Sequence, residues 1–285
     1  MAGSITVLTP ANAATSSVGL GTAKPFAILV GSTVTNTGPT VINGQLGLSP
    51  GTAVTGFPPG VSGPQHIADA VALQAKNDLV TAYNDAANRP ATEQVATELG
   101  GRTFLDGVYR NGTGLGITGT VTLDGQNAPS SVWIFQAGST LITATSSRVA
   151  LINGANPCNV FWQVGSSATL GVNTTFVGTI MALESISVKT GTAVTGRALA
   201  RNAAVTLNDT TPARHRPKRA SRLAPLAVPV VPQVPVVQVA GSVPVAGATA
   251  GTDPVLAATA VGTNSPTPAA RFRSCHWPES APVCC

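Results

Sequence analysis

Acid–base or metal chemistry needs side chains that this sequence keeps apart. Its histidines are His66, His215 and His276, and two of the three lie beyond residue 211. No Cys-x-x-Cys, His-Glu-x-x-His, Gly-x-Ser-x-Gly or phosphate-loop pattern occurs. The nine Asp and Glu residues up to Thr211 are scattered, and no two are spaced as a working carboxylate pair. Asp106-Gly107 and Asp124-Gly125 read as turns. Cys158 stands alone in the body and reads as a small buried apolar side chain, while Cys275, Cys284 and Cys285 form no pattern. The expectation is no enzyme, no cofactor and no metal. What the chain has in quantity is threonine, 36 residues of it, each carrying one methyl and one hydroxyl on a stiff branched carbon. Such groups do their chemistry by many weak contacts, and only if something rigid arrays them.

Charge shows where a rigid body could lie. Only 9% of the residues are charged, against about 25% in an average soluble domain. Up to Thr211 nine Lys and Arg balance nine Asp and Glu, so the net charge of +5 belongs to residues 212–285. A neutral body offers no basic surface for nucleic acid. The basic run Arg214, Arg216, Lys218, Arg219 and Arg222 reads as a solvated linker. The apolar stretch 223–252 carries five prolines, which suit an extended spacer and exclude a membrane helix. No basic segment followed by an apolar one is visible at the N terminus. The expected division is an N-terminal extension (1–19), one body (20–211) and a disordered tail (212–285).

Within the body one helix is expected over about 64–88. Ile67, Val71, Ala75, Leu79, Ala82, Tyr83 and Ala86 recur at spacings of three and four, with Asp69, Lys76 and Asp85 elsewhere. Pro64 suits a first helical turn, and Arg89-Pro90 a stop. A second, short helical turn is expected over 92–99.

The remainder is strand-like and repeats. Gly51-Thr52-Ala53-Val54-Thr55-Gly56 recurs letter for letter at Gly191-Thr192-Ala193-Val194-Thr195-Gly196. Looser versions end at Gly44, Gly119, Gly154 and Gly178. Leu170 and Val188 are 18 residues apart, as are Phe176 and Val194, and Val188 and Leu207 are 19 apart. Three short strands with three corners need about that many residues, so the pattern implies an all-β-dominated β-solenoid. Ile42, Val54, Ile117, Phe176 and Val194 would point inward, and Trp133 and Trp162 would be core. Alternation then sends their neighbours outward. The outward candidates are Thr40, Asn43, Thr52, Ala53, Thr55, Gly116, Thr118, Thr175, Thr192, Ala193 and Thr195. A sheet of them would be a flat, uncharged lattice of methyls and hydroxyls, suited to an extended regular target, of which ice is the clearest. The plainer alternative is that threonine is simply a good strand former.

Several stretches resemble the bacterial and fungal ice-binding protein family. They include 26–38, 44–51, 123–126, 133–136, 159–165 and 196–200, in family order over about residues 20–208. The resemblance implies a discontinuous β-solenoid of triangular section with one long helix alongside, secretion or display at the cell surface, and adsorption to ice through one flat face. Family faces often show Thr-Ala/Gly-x-Thr/Asn. Thr52–Thr55 and Thr192–Thr195 fit it, whereas Leu115–Thr118, Thr40–Asn43 and Thr174–Val177 depart from it at one or two positions. The expected partner is an ice crystal surface, bound by a monomer with no nucleic acid and no membrane span. The alternative is an adhesive surface module that binds carbohydrate or protein on the same scaffold.

Overall fold

The computed structural model describes residues 15–208. Each coil of the solenoid lays strands in turn on three faces, A, B and C, and every strand ladder is parallel. One coil shows the pattern: Val160–Val164 on face A, Ala168–Leu170 on face B, then Thr175–Ala182, which starts on face C and bends onto face A. Ala193–Ala200 makes the same bend one coil later, paired residue for residue. The bends fall at Gly178 (φ 115°) and Gly196 (φ 151°), where a Cβ on Gly196 would collide with the Gly178 carbonyl.

The stacking order is not the chain order. The chain lays its first two coils, enters a short strand Gln65–Ile67, then runs through the helix Ala70–Asn88 to the opposite end. From Glu93–Gln94 it builds coils back until Val205–Asn208 pairs with Thr33–Thr37, and Ala193–Ala200 with Phe26–Val30. Face A holds nine strands between Gln65–Ile67 and Glu93–Gln94. Eight steps of about 4.8 Å make roughly 38 Å. A helix of 19 residues supplies about 28 Å of that, and the residues flanking it supply the rest.

Alternation places the core as the repeats imply. Ile42, Ile117 and Phe176 are buried, and Val54 and Val194 pack against the same interior. Tyr109, Phe135, Trp162 and Phe176 run up the axis as a column, with Phe135 and Trp162 stacked at 4.2 Å. Among the described residues both indole N–H groups are satisfied, Trp133 by Phe104 O and Trp162 by Val177 O. A second apolar layer lies between the helix (Ala75, Leu79, Ala82, Ala86) and face A (Phe26, Leu29, Phe161, Leu199). At position 152 the repeat is out of phase, because Leu151 packs inward and Ile152 is exposed.

The helix begins at Ala70 rather than near 64. Asp69 caps it by accepting the Ala72 N–H at 2.8 Å, and residues 65–67 are a strand paired to Gln45–Leu48. Ile67 and Val71 are therefore exposed, and the buried stripe runs through Ala72, Ala75, Lys76, Leu79, Ala82, Tyr83 and Ala86. No helical turn forms over 92–99, because Glu93–Gln94 pairs with Gly107–Asn111 and Glu98 bridges to Gly116. Cys158 is only partly buried and is disulfide-bonded, so it is not an inert core residue. The expected tail and most of the N-terminal extension lie outside the described residues; Val18 and Leu20 already pack into the helix layer.

Lys76 is buried against face A with no carboxylate at ion-pair distance among the described residues. Burial, and then the like charge of Arg201, lower its pKa to about 8. Between that value and its ordinary 10.5 the unfolded chain binds a proton that the folded chain has released. Stability therefore rises with pH across that window, by up to about 1 kcal/mol per pH unit. Above pH 10 the tyrosines reverse the trend, since burial pushes Tyr109 up to about 12 and Tyr83 upward too. Denaturant melts between pH 8 and 10 check this: the parent gains stability, and Lys76→Met gives a flat profile.

Candidate functional site

The helix occupies face A, which leaves B and C to be compared. Face B is a seven-stranded parallel sheet in the order 53–55, 33–37, 205–208, 186–188, 168–170, 141–143 and 115–117. Its inward residues are Val54, Val34, Val205, Ile186, Ala168, Leu141 and Leu115, each in register with the next. The residue after each points out. The result is one straight row across seven strands: Thr55, Thr35, Thr206, Ser187, Thr169, Ile142 and Gly116. The residue before each points out too. It gives a second row that includes Ala53, Thr33, Ala204, Ser185, Ser167 and Thr140.

The first five members of the leading row carry hydroxyls. Among the described residues no protein hydrogen bond engages Thr35, Thr169, Ser187 or Thr206 through its hydroxyl, and Thr55 makes only a long contact of 3.5 Å to Val34 O. In the second row Ser185 donates to Ser167 at 2.9 Å, which fixes both side chains. Ile142 interrupts the hydroxyls and is half exposed. Beyond Gly116 comes Glu98, the charged edge. Burial raises the Glu98 pKa, but hydrogen bonds from Thr118 and Gly100 outweigh that and hold it below the usual range. Lys189 stands to one side, in a third row beside Asn208 and Thr37.

The candidates expected from the sequence do not share one face. Thr52, Ala53 and Thr55 are exposed on face B at its upper edge, and Gly116 and Thr118 lie at its lower end. The Thr118 hydroxyl is committed to Glu98 Oε2 at 3.0 Å. Asn43, Thr175, Ala193 and Thr195 lie on face C, and Thr175 pairs with Ala193. Thr40 and Thr192 are buried at corners, and the Thr192 hydroxyl donates to Gly171 O at 2.8 Å. The two identical hexapeptides thus fall on different faces: Val54 aligns with Val34, whereas Val194 aligns with Phe176. Face C also carries Arg148, Asp124 and the exposed Ile152, so it is neither neutral nor even.

Thr33, Thr35, Thr169, Ser187 and Thr206 are not among the candidates that the sequence pattern nominates. A signal for three of them lies in the 18- and 19-residue spacing of Leu170, Val188 and Leu207, because each immediately follows one of these outward residues. Residues 28–212 match the model of the ice-binding-like family. The chain belongs to the ice-binding-like family. It is 49% identical over 203 residues to an ice-binding protein of Nostoc sp. (strain HG1), covering 70% of this chain and 75% of that one. To an ice-binding protein of Colwellia sp. it is 38% identical, covering 68% and 82%. Among solved structures it resembles an ice-binding protein of the Antarctic ascomycete Antarctomyces psychrotrophicus, at TM-score 0.67 and 43% identity over 69% of this chain and 98% of that one. It also resembles one from an Antarctic biological consortium, at TM-score 0.69 and 47% identity over 72% and 95%.

Corner threonines and face threonines should respond differently to substitution. Thr192→Val removes the 2.8 Å bond to Gly171 O, leaving that carbonyl only the longer Thr174 N–H bond at 3.3 Å, and should cost about 1 kcal/mol. Chemical denaturation measures that loss, while thermal hysteresis at a temperature where the variant is folded should match the parent.

Proposed function

We propose that this ice-binding-like protein adsorbs to ice through face B, over the five rungs from Thr55 to Thr169. Two outward rows lie about 6.6 Å apart along the strands, and rungs repeat about every 4.8 Å. Parallel pairing fixes the backbone under them. Branched side chains have few rotamers left to lose, so the surface meets ice already ordered. Methyls hold neighbouring water in a cage while the free hydroxyls anchor it. Each contact is weak, and the sum over the plane is what keeps the protein on the crystal. Ice then advances only between adsorbed molecules as a curved front, which slows growth and recrystallisation.

The observation that carries this reading is the register of the hydroxyl row across five consecutive strands, with no charge within it. Face C fails that test at Arg148, which breaks the row Thr120, Arg148, Thr175 and Ala193. The proposal assigns no catalytic step and no cofactor, and it places the protein outside the cell or on its surface, where its target forms. No helix among the described residues is long and apolar enough to cross a membrane.

A bulky ring standing off the plane should separate the two faces. Thr35→Tyr or Thr206→Tyr should remove most thermal hysteresis and ice-recrystallisation inhibition, with a melting temperature close to the parent's. Thr195→Tyr, on face C, should keep both activities. Full activity in the first pair, or loss in the last, overturns the assignment of face B; glycan binding with no ice shaping overturns the function.

A further inference from the structure

We infer that Lys76 is a positioning residue for the ice-binding face, acting from the opposite side of the solenoid by pinning the seam where the first coil meets the last. The inference rests on the assignment of ice adsorption to face B. Thr35 and Thr206 are neighbours in the row, yet about 170 residues separate them in the chain. Their strands touch only because the first coil has docked on the last. The row is therefore continuous only as far as that docking holds its register.

The strand that carries Thr206 is reached through one turn, residues 201–204, which follows Ala200 at the end of its face-A strand. On the outer side of this turn the helix presents Lys76. Its Nζ donates to Ala200 O at 2.8 Å and to Arg201 O. On the inner side the same turn offers Ala203 O to the first coil, where Gly31 N and Ser32 N donate at 3.3 and 3.4 Å. Those two bonds are long, so the first coil alone holds the turn loosely. The approach is nonetheless close, since a Cβ on Gly31 would collide with the carbonyls of Arg201 and Asn202.

The cation makes this contact directional. An ammonium buried without a carboxylate is tolerable only while its hydrogen-bond acceptors stay in place. If the turn slides away from the helix, Lys76 loses both carbonyls that now accept from its ammonium. A buried methionine of similar size would fill the space and remove the turn's tie to the helix, leaving it held by the preceding coil (Arg201 N–H to Ala182 O and Asn202 N–H to Leu183 O) and by the two long bonds from the first coil. Thr206 lies only six residues beyond Ala200, so movement of the turn shifts one rung in the middle of the row. Arg197 works in the same way at the other corner of the seam. It is buried in the last coil and donates from Nε to Lys24 O, just before the first strand.

Full-length Lys76→Met and Lys76→Arg test the inference. The measurements are circular dichroism, residue-resolved amide exchange, and thermal hysteresis. Lys76→Met should stay folded, with exchange at Gly31 and Ser32 faster by about tenfold or more. Its thermal hysteresis should fall to about half or less, because a surface array must be held closely to act. Lys76→Arg restores a cationic donor and should recover both readings. If Lys76→Met does not fold, Lys76→Gln is read by the same criteria. Parent-level hysteresis in the neutral variants, or faster exchange spread evenly over all coils, overturns the positioning role. Thr35→Tyr is run in parallel. If it keeps its hysteresis, the assignment of face B fails; if it loses hysteresis while the neutral Lys76 variants do not, only the role of Lys76 fails.

Discussion

The backbone pairing between the last coil and the first is what the rest of the molecule depends on. Elsewhere in the stack neighbouring coils are consecutive in the chain, so the next strand is delivered by a short connection. At the seam the partners of Ile28 and Val34 are Ala198 and Val205. Closing a loop of that length costs only slightly more than closing one of half the length, since the penalty grows with the logarithm. The larger difficulty is register, because a one-residue slip would turn every outward side chain inward. Three features oppose a slip. Inward valines and leucines repeat on both sides of the seam, the helix packs over both sets of coils, and Lys76 and Arg197 each tie the last coil to a partner beyond it.

Charged groups at the seam need a physical justification, because an apolar pair of the same volume would bury at lower cost. What a cation adds is direction. Apolar contacts between coils are nearly equal for several small displacements, whereas a hydrogen bond to a particular carbonyl is not. The same distinction separates the two kinds of threonine. Thr192 and Thr118 spend their hydroxyl protons on Gly171 O and Glu98, which fixes the chain locally and leaves no donor for solvent. Thr35 and Thr206 spend none on protein, and the fold, not the side chain's own bonds, holds them still. A face for ice needs the second kind, arrayed by elements that use the first.

The sequence reveals which residues point inward far better than which side of the triangle they occupy. Alternation and the glycine corners identify Ile42, Ile117 and Phe176, because a buried strand demands them locally. The side depends on how many residues separate one corner from the next, summed over all preceding coils, and irregular coils before residue 165 break that sum. Hence identical hexapeptides at 51–56 and 191–196 land on faces B and C. The helix shows the same limit at its ends. Pro64 looks like a start, but a strand of three residues is too short to leave a pattern, and the cap is Asp69. Periodicity puts Lys76 on the wet side, where lysine almost always sits. Only the position of Ala200 and Arg201, which is tertiary information, makes a buried one sensible.

The edges of face B follow from its use. A parallel sheet that ends in solvent exposes unpaired backbone groups and invites another strand. A common remedy is charge, and the lower edge has it in Glu98. Charge is the wrong remedy at the upper edge, because the ice-binding row reaches it at Thr55 and a charged group there would hold water in a shell unlike ice. That edge strand is only three residues long, Ala53–Thr55, and Pro58 and Pro59 follow it closely. A proline offers no N–H to an incoming strand, and three residues offer few bonds to gain. The upper edge is thus protected by its shortness and by the proline turn that ends it, neither of which puts a charge in the hydroxyl row, and the charged edge lies beyond Ile142 and Gly116, where that row has already ended.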